Sequence, residues 1–357
     1  MKILYIISSY NLYGGTPMKT LALLNYFKTD GVVYLYVDEY QEFRDYFEQT
    51  GSKMYEGFHK RNLFLHIRKL REIIKKEKID IIQSHFPMGE FLGGILKMMY
   101  PEIKLIISFE GAGSPKVVKK YLLANIYKSV DAFIYISNFV KQEKLKVFPL
   151  LEKKKNKIIY IGTNQNMETP NKINNFMKHP ALFDIAGLTL IKNHRILIDA
   201  VEVLINKGIV IYLYLAGDGP MKISLDNMIR DKELSDYIHI LGYCNNTDEL
   251  TKECDIFVHP CYFEGFGMVV AEAMMAQKPI IVSNAGALPE LVEHNKSGLI
   301  VDPYNAEEWA NAIQKLLNNQ TLSKKLAKNA KIRAEKLFSI EKFVQNYQNL
   351  YEELLEV

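Results

Sequence analysis

The sequence predicts an α/β protein built from two doubly wound parallel-sheet domains. Three observations carry this reading. Short apolar runs alternate with longer amphipathic segments along the chain, the pattern of strands joined by crossover helices. The pattern pauses and begins again after residue 180. Between the two series lies Thr163–Pro180, TNQNMETPNKINNFMKHP, a polar, proline-flanked stretch that reads as a linker with one short helix. A length of 357 residues accommodates two domains.

The first series places strands at Lys2–Ser8, Val32–Val37, Ile79–Ser84, Lys104–Ser108, Ala132–Ile136 and Lys157–Ile161. The second places them at Phe183–Ala186, Val210–Ala216, Ile238–Leu241, Ile256–His259 and Pro279–Ser283. Each is a short apolar run, as strands covered on both faces require. The chain is helical from Ala306, and Phe338–Val357 is amphipathic, with Phe343, Tyr347, Leu350, Tyr351 and Leu354 on one face.

At 48% hydrophobic and 24% charged residues, the composition is that of a soluble globular protein. No apolar run is long enough to span a bilayer. MKILYIISSY is too short for a signal-peptide core and is followed by Gly14-Gly15, so it reads as a buried first strand of a cytoplasmic protein. Three cysteines, Cys244, Cys254 and Cys261, form no CxxC pair. That count fits a reducing compartment without structural zinc, and no metal-ligand spacing appears.

The net charge of +4 is unevenly spread: residues 1–164 carry 26 Lys+Arg against 16 Asp+Glu, and residues 165–357 carry 19 against 25. A basic half expects an anionic partner. In KRNLFLHIRKLREIIKKEK, Lys60–Lys78, Leu63, Ile67, Leu70, Ile73 and Ile74 fall at helical spacing among five basic residues. Two readings remain open. One is a solvated helix resting one face on a sheet; the other is a helix that also rests on anionic phospholipid, at the inner face of the plasma membrane. The basic half lacks an aromatic-interleaved motif, so nucleic acid is not an expected partner. The absence of GxxxxGK[ST] excludes a P-loop nucleotidase, and Gly265-Phe266-Gly267 lacks the third glycine of a dinucleotide fingerprint.

The densest chemistry lies in CYFEGFGMVVAEAMMAQKPIIVSNAGALPE, Cys261–Glu290. Glu264 and Glu272 flank a Gly-Phe-Gly turn that opens a helix. Amides from Glu264 to Met268 at that helix start suit an anion, and Gly265 and Gly267 let a ligand approach the backbone. Glu264 falls in the loop beside the bound group. Glu272 falls inside the helix, where a carboxylate can accept from a ribose diol.

This block resembles the donor-site signature of the family-four retaining glycosyltransferases, two glutamates with seven residues between them. The resemblance runs over nearly the whole chain and is most specific over residues 185–303. It implies the GT-B fold, two Rossmann-like domains facing a cleft. Residues 1–164 would form the acceptor-side domain and residues 165–337 the donor domain, with the helix of about 338–357 packed back on the first. It further implies transfer of a sugar, with retention, from a UDP- or GDP-linked donor to a hydroxyl of a lipid-linked or polysaccharide acceptor in surface glycan or lipopolysaccharide synthesis. No metal or other cofactor is implied.

The resemblance assigns Glu264 to the donor sugar, Glu272 to the ribose, and Gly265, Phe266, Gly267 and Met268 to the diphosphate. Gly14 and Gly15 form the glycine-rich loop near donor and acceptor. Gly217, in AGDGP, and Tyr243 line the nucleotide pocket. Lys192, in IAGLTLIKNHRILIDA, clamps the diphosphate, but Gly187 stands where the family carries an arginine, removing a bidentate phosphate donor. His85 and Glu110 end the third and fourth strands and face the acceptor, with Glu110 where a histidine is commoner. Lys192, Glu264, His85 and Glu110 are thus the candidate catalytic residues. Gly187 keeps open a second reading, a non-catalytic nucleotide-sugar-binding or scaffold protein. A phosphorylase or starch-type synthase of the same fold would need a longer chain.

Overall fold

The computed structural model describes residues 1–8, 15–36, 44–57, 62–113, 117–163 and 176–356. Gly14 and most of the Thr163–Pro180 linker lie outside the described residues. The chain divides into two compact units, Met1–Gly162 with Ile340–Val357, and Thr163–Ser339.

In the first unit the order is β1 (Ile3–Ile7), α1 (Gly15–Phe27), β2 (Gly31–Leu35), α2 (Arg44–Glu48), β3 (Lys53–Glu56), α3 (Leu63–Glu77) and β4 (Ile81–His85). It continues with α4 (Phe86–Met99), β5 (Lys104–Phe109), α5 (Val117–Tyr127), β6 (Ala132–Tyr135), α6 (Asn138–Val147) and β7 (Lys155–Ile158). The second unit holds β8 (Ala181–Ile185), α7 (His194–Asn206), β9 (Tyr212–Ala216), α8 (Lys222–Asp231), β10 (Ile238–Gly242), α9 (Thr247–Glu253) and β11 (Ile256–His259). Then follow α10 (Met268–Met275), β12 (Ile280–Ser283), α11 (Leu288–Leu291), β13 (Leu299–Val301), α12 (Ala306–Asn318) and α13 (Gln320–Leu337), and α14 (Ile340–Leu355) returns to the first unit.

Both sheets are parallel, ordered β3-β2-β1-β4-β5-β6-β7 and β10-β9-β8-β11-β12-β13. The strand order reverses between β1 and β4 and between β8 and β11. At such points the loops leaving the strands' carboxyl ends part and open a ligand crevice. Strands β1, β2 and β4 are buried at every position, as helices on both faces of a parallel sheet demand.

The sequence pattern missed two strands and shifted a third. β3 is KMYE, an edge strand with no fully buried residue, so it lacks the apolar run that marks its neighbours. β13 has three residues at the other unit's edge. β7 begins at Lys155, not Lys157, because its pairing to β6 aligns Lys155 with Ala132. Helix α3 also rotates from the expected stripe. His66, Leu70, Ile73, Ile74 and Glu77 face inward, because the two polar residues find partners: His66 Nδ1 lies 2.7 Å from the Tyr34 hydroxyl, and Glu77 accepts from Tyr55 at 2.7 Å.

Helix α14 supplies Phe343, Val344, Tyr347, Leu350, Tyr351 and Leu354 to the core formed with Tyr5, Ile7, Val33 and Ile106. Its register is set by polar contacts as well as packing. The Tyr351 hydroxyl donates to Gln83 Oε1 at 2.5 Å and lies 3.3 Å from the Tyr5 hydroxyl. Tyr351→Phe strands the buried Gln83 oxygen and should cost about 1–3 kcal/mol, whereas Tyr351→Ala also leaves a cavity and should cost about 3–5 kcal/mol. Urea unfolding followed by far-UV circular dichroism checks both. The single tryptophan, Trp309, is in the second unit, so its emission transition should move less.

Candidate active site

The second unit's site begins where β8 ends. Ile185 runs into Ala186-Gly187-Leu188, and the short 3-10 turn Leu190–Lys192 leads into α7. Asn193 takes a left-handed conformation, φ 53°. Its Nδ2 donates to the carbonyls of Pro260 at 3.1 Å and Pro303 at 2.7 Å. These two bonds repay the strained backbone and fix the lysine before it. Lys192 Nζ lies 2.5 Å from Glu264 Oε2, with both side chains mostly buried.

Glu264 precedes Gly267, whose φ of 100° starts α10 without a side-chain cap. The amides of Met268 and Val269 have no acceptor within the helix, while Val270 N and Ala271 N donate to Gly267 O at 3.0 and 3.1 Å. The turn Asn284-Ala285-Gly286 supports Glu264 from beneath. Ala287 N donates to Glu264 O at 2.9 Å, and a Cβ at Gly286 would fall 2.1 Å from that oxygen. Glycine is therefore required at position 286, on grounds of contact as well as its φ of 55°.

Behind Glu264 stands His259, fully buried. Its Nε2 is 3.3 Å from Glu264 Oε2 and its Nδ1 is 2.8 Å from Asp184 Oδ1. His194 Nε2 lies 3.3 Å from the other Asp184 oxygen. Burial would raise the pKa of Glu264, but the His259 hydrogen bond and the Lys192 charge outweigh it and hold the carboxyl at about 2. Burial opposes the charged forms of Lys192 and His259 too, yet their carboxylate partners raise both.

Glu272 sits one turn into α10, and burial with the nearby Asp248 charge pushes its carboxyl up to about 7. Phe266 offers only its backbone, since its ring is buried edge-on to Phe338 at 5.6 Å. Gly217 N donates to Gly242 O at 2.7 Å, tying together the turns after β9 and β10. Tyr243 beyond them is exposed.

In the first unit, His85 and Glu110 come together at the ends of β4 and β5. His85 Nδ1 donates to Glu110 Oε1 at 2.8 Å, and Lys19 Nζ reaches the same oxygen at 2.5 Å. Lys19 also donates to Ser108 Oγ at 3.0 Å. Burial raises Glu110, but the Lys19 charge and the His85 bond bring it to about 2. Burial keeps His85 neutral, its affinity for a proton lowered. His85 is wholly enclosed, while Glu110 keeps some exposure. His85 therefore orients Glu110 and does not itself reach the surface. Phe86, the next residue, is held at φ 61°, an uncommon conformation for a bulky side chain. Gly15 opens α1.

Residues 165–333 match the family described as Glycosyl transferases group 1, and residues 20–166 match Glycosyltransferase Family 4. An uncharacterised glycosyltransferase of Methanocaldococcus jannaschii is 32% identical over 294 residues, 80% of this chain and 78% of that one. The chain belongs to the family-four glycosyltransferases. A Campylobacter jejuni relative, named N,N'-diacetylbacillosaminyl-diphospho-undecaprenol alpha-1,3-N-acetylgalactosaminyltransferase, is 26% identical over 311 residues, 80% of each chain. The crystal structure of Anabaena HepE in complex with UDP shares the fold, with TM-score 0.85 at 20% identity over 99% of this chain and 100% of that one. The glycosyltransferase thus has the GT-B fold, with one parallel-sheet α/β domain in each unit.

Sequence reasoning overlooked Lys19, Asp184 and His259. A signal for Lys19 existed: Thr16, Lys19, Thr20 and Leu23 form one helical stripe, and all four are buried. Asp184 is a lone charge inside an apolar strand, and His259 ends the neighbouring one. Each is odd for its place in a strand, but only their pairing across β8 and β11 explains both.

Two predictions follow from this geometry. Gly286→Ala should displace Glu264 and cut sugar transfer about a hundredfold, measured as nucleotide released from a nucleotide sugar. Glu110 and Glu264 both titrate well below the ordinary 4.5. Their contribution to stability should be complete above pH 4.5 and be lost as pH falls toward 2, where both become protonated. Acid unfolding of the Glu110→Gln/Glu264→Gln variant should accordingly show a shallower dependence on pH across that window.

Proposed function

We propose that this glycosyltransferase is a metal-independent, retaining enzyme that moves a sugar from a nucleoside-diphosphate donor to a hydroxyl of a lipid-linked or polysaccharide acceptor. The second unit takes the donor and the first the acceptor. The observation that carries the reading is the Lys192–Glu264 pair beside the uncapped start of α10. As the bond from the anomeric carbon to the phosphate oxygen breaks, its electron pair leaves with the diphosphate. Lys192 and the α10 amides stabilise that charge, while Glu264 accepts hydrogen bonds from the sugar hydroxyls.

Glu264 and Glu110 are both held near 2, which makes each a poor proton acceptor at neutral pH. The proton of the acceptor hydroxyl therefore passes to the departing phosphate oxygen. Attack from that same face retains the anomeric configuration. Glu110 serves as a fixed anionic acceptor of hydrogen bonds from the incoming sugar. His259, Cys261 and Glu264 are close enough to share an ion, but the Lys192 ammonium already sits 2.5 Å from Glu264 Oε2, a cation that a metal ion would have to displace. EDTA should leave transfer unchanged.

Calorimetric titration of UDP and GDP and their common sugar conjugates tests the donor assignment, with UDP first because a structural neighbour holds it. One nucleotide should bind, and Glu272→Ala should abolish binding. Glu272 gains charge as pH rises through about 7. If its carboxylate accepts from the ribose diol, affinity should increase from pH 6 to pH 8, and Glu272→Gln should remove that increase. An anomeric proton spectrum of the product reads retention directly; an inverted product refutes the mechanism.

The Campylobacter jejuni relative is named for a diphospho-undecaprenol acceptor, which supports a lipid-linked substrate and a peripheral site at the cytoplasmic face of a membrane. No helix among the described residues is long and apolar enough to cross one. Helix α3 exposes Phe64 together with Arg68, a combination suited to an anionic bilayer surface. Sedimentation with anionic vesicles at low salt should carry the protein down, and its failure to do so removes this part of the proposal.

A non-catalytic nucleotide-sugar-binding protein is the second reading, favoured by Gly187 alone. A Cβ there would meet nothing nearer than Asp218 O at 3.8 Å, so an arginine side chain has room to begin. Gly187→Arg that raises donor affinity without any turnover supports this reading, whereas measurable turnover of the unaltered chain ends it.

A further inference from the structure

Lys192, the cation beside the start of α10, is already engaged with Glu264. If Lys192 turns to a diphosphate, Glu264 loses one of the two positive groups on Oε2. The other is His259. Its surroundings define its charge by valence. Nδ1 faces the Asp184 carboxylate at 2.8 Å and Nε2 faces the Glu264 carboxylate at 3.3 Å. Ionised carboxylates only accept, and a neutral imidazole has one N–H. A neutral ring would turn a lone pair toward an anion on one side or the other, in a fully buried place.

The geometry points to His259 as a permanently charged imidazolium, a positioning residue that keeps Glu264 ionised and in place when Lys192 turns to the donor's diphosphate. This deepens the proposed transfer and rests on it for the diphosphate. The groups facing His259 are Asp184 from β8, Glu264 and Cys261 from the segment after β11, and Lys192 from the turn before α7, with His194 of α7 on the far side of Asp184. Two carboxylates against one neighbouring ammonium favour the charged ring, and burial against it is outweighed. Oε1 of Glu264 is held more lightly, by Gly265 N at 3.2 Å, which leaves it the oxygen available to a sugar hydroxyl.

The test has a ligand-free arm and a kinetic arm. The protein is labelled with ¹⁵N in its histidine rings, eight in all, and His259→Gln identifies the His259 signals. Both ring nitrogens should carry protons at pH 8; a bare nitrogen at that pH overturns the proposal. With ¹³C in the glutamate carboxyls, Glu264 should titrate at higher pH in His259→Gln than in the unaltered protein, and an unmoved titration overturns the positioning role. Neither measurement needs turnover, so they decide the matter even if the proposed transfer is wrong.

In the kinetic arm, His259→Gln should lower kcat about tenfold or more while the affinity for UDP alone stays within about twofold. Asp184→Asn removes the anion that holds the proton. The activity of that variant should fall as pH rises from 6 to 8, where the unaltered enzyme shows no histidine-type loss. A loss equal at all pH values would make Asp184 and His259 packing residues only.

Discussion

One carboxylate oxygen organises the second unit. Glu264 Oε2 is approached by Lys192 at 2.5 Å and His259 at 3.3 Å, inside a protein interior that on its own would neutralise the acid. Keeping a charge there requires that every partner be held as firmly as the carboxylate. Asn193 locks the lysine through two proline carbonyls, Asp184 holds the histidine, and the turn at Gly286 holds the Glu264 backbone. Removing any one support leaves a buried ion short of a partner, and that costs more than the supporting bond itself is worth.

The first unit repeats the device with a different outcome. Lys19, Glu110 and His85 are again a lysine, a glutamate and a histidine meeting at one oxygen. The far ring nitrogen decides the charge of each histidine. In His259 it faces Asp184; in His85 it lies 3.2 Å from the Gln83 amide nitrogen, which can donate to it. Donation continues in one direction, from Tyr351 to Gln83, from Gln83 to His85 and from His85 to Glu110. Helix α14 thus closes the core and also terminates the hydrogen-bond chain that orients Glu110. One His is neutral and one charged because an amide can donate and a carboxylate cannot.

Much of the fold was legible because both sheets are covered on their two faces. Complete burial makes strands read as unbroken apolar runs, and α14's buried residues recur at helical spacing. The edges were not legible. β3 and β13 bury too little to mark themselves, and their pairing comes from neighbours already in place. In the site, Glu264, Glu272 and Lys192 stand out because a glycine turn and a helix start surround them in sequence. Asp184, His259 and Lys19 do not, since each takes its meaning from a residue at least 75 positions away.

The sequence by itself determined the class of the chain: two parallel-sheet units, a signature of paired glutamates about a glycine turn, and membership in a glycosyltransferase family. These are local properties, written in spacing and in the φ angles that glycine permits. Only the tertiary structure decided the charge state of the carboxylates in the candidate site. Glu264 and Glu110 come out strongly acidic, whereas the carboxyl of Glu272 is raised to about 7, although all three are the same residue, each largely enclosed. Burial pushes all three the same way, and the difference lies in the cations that distant strands and helices bring within hydrogen-bonding reach.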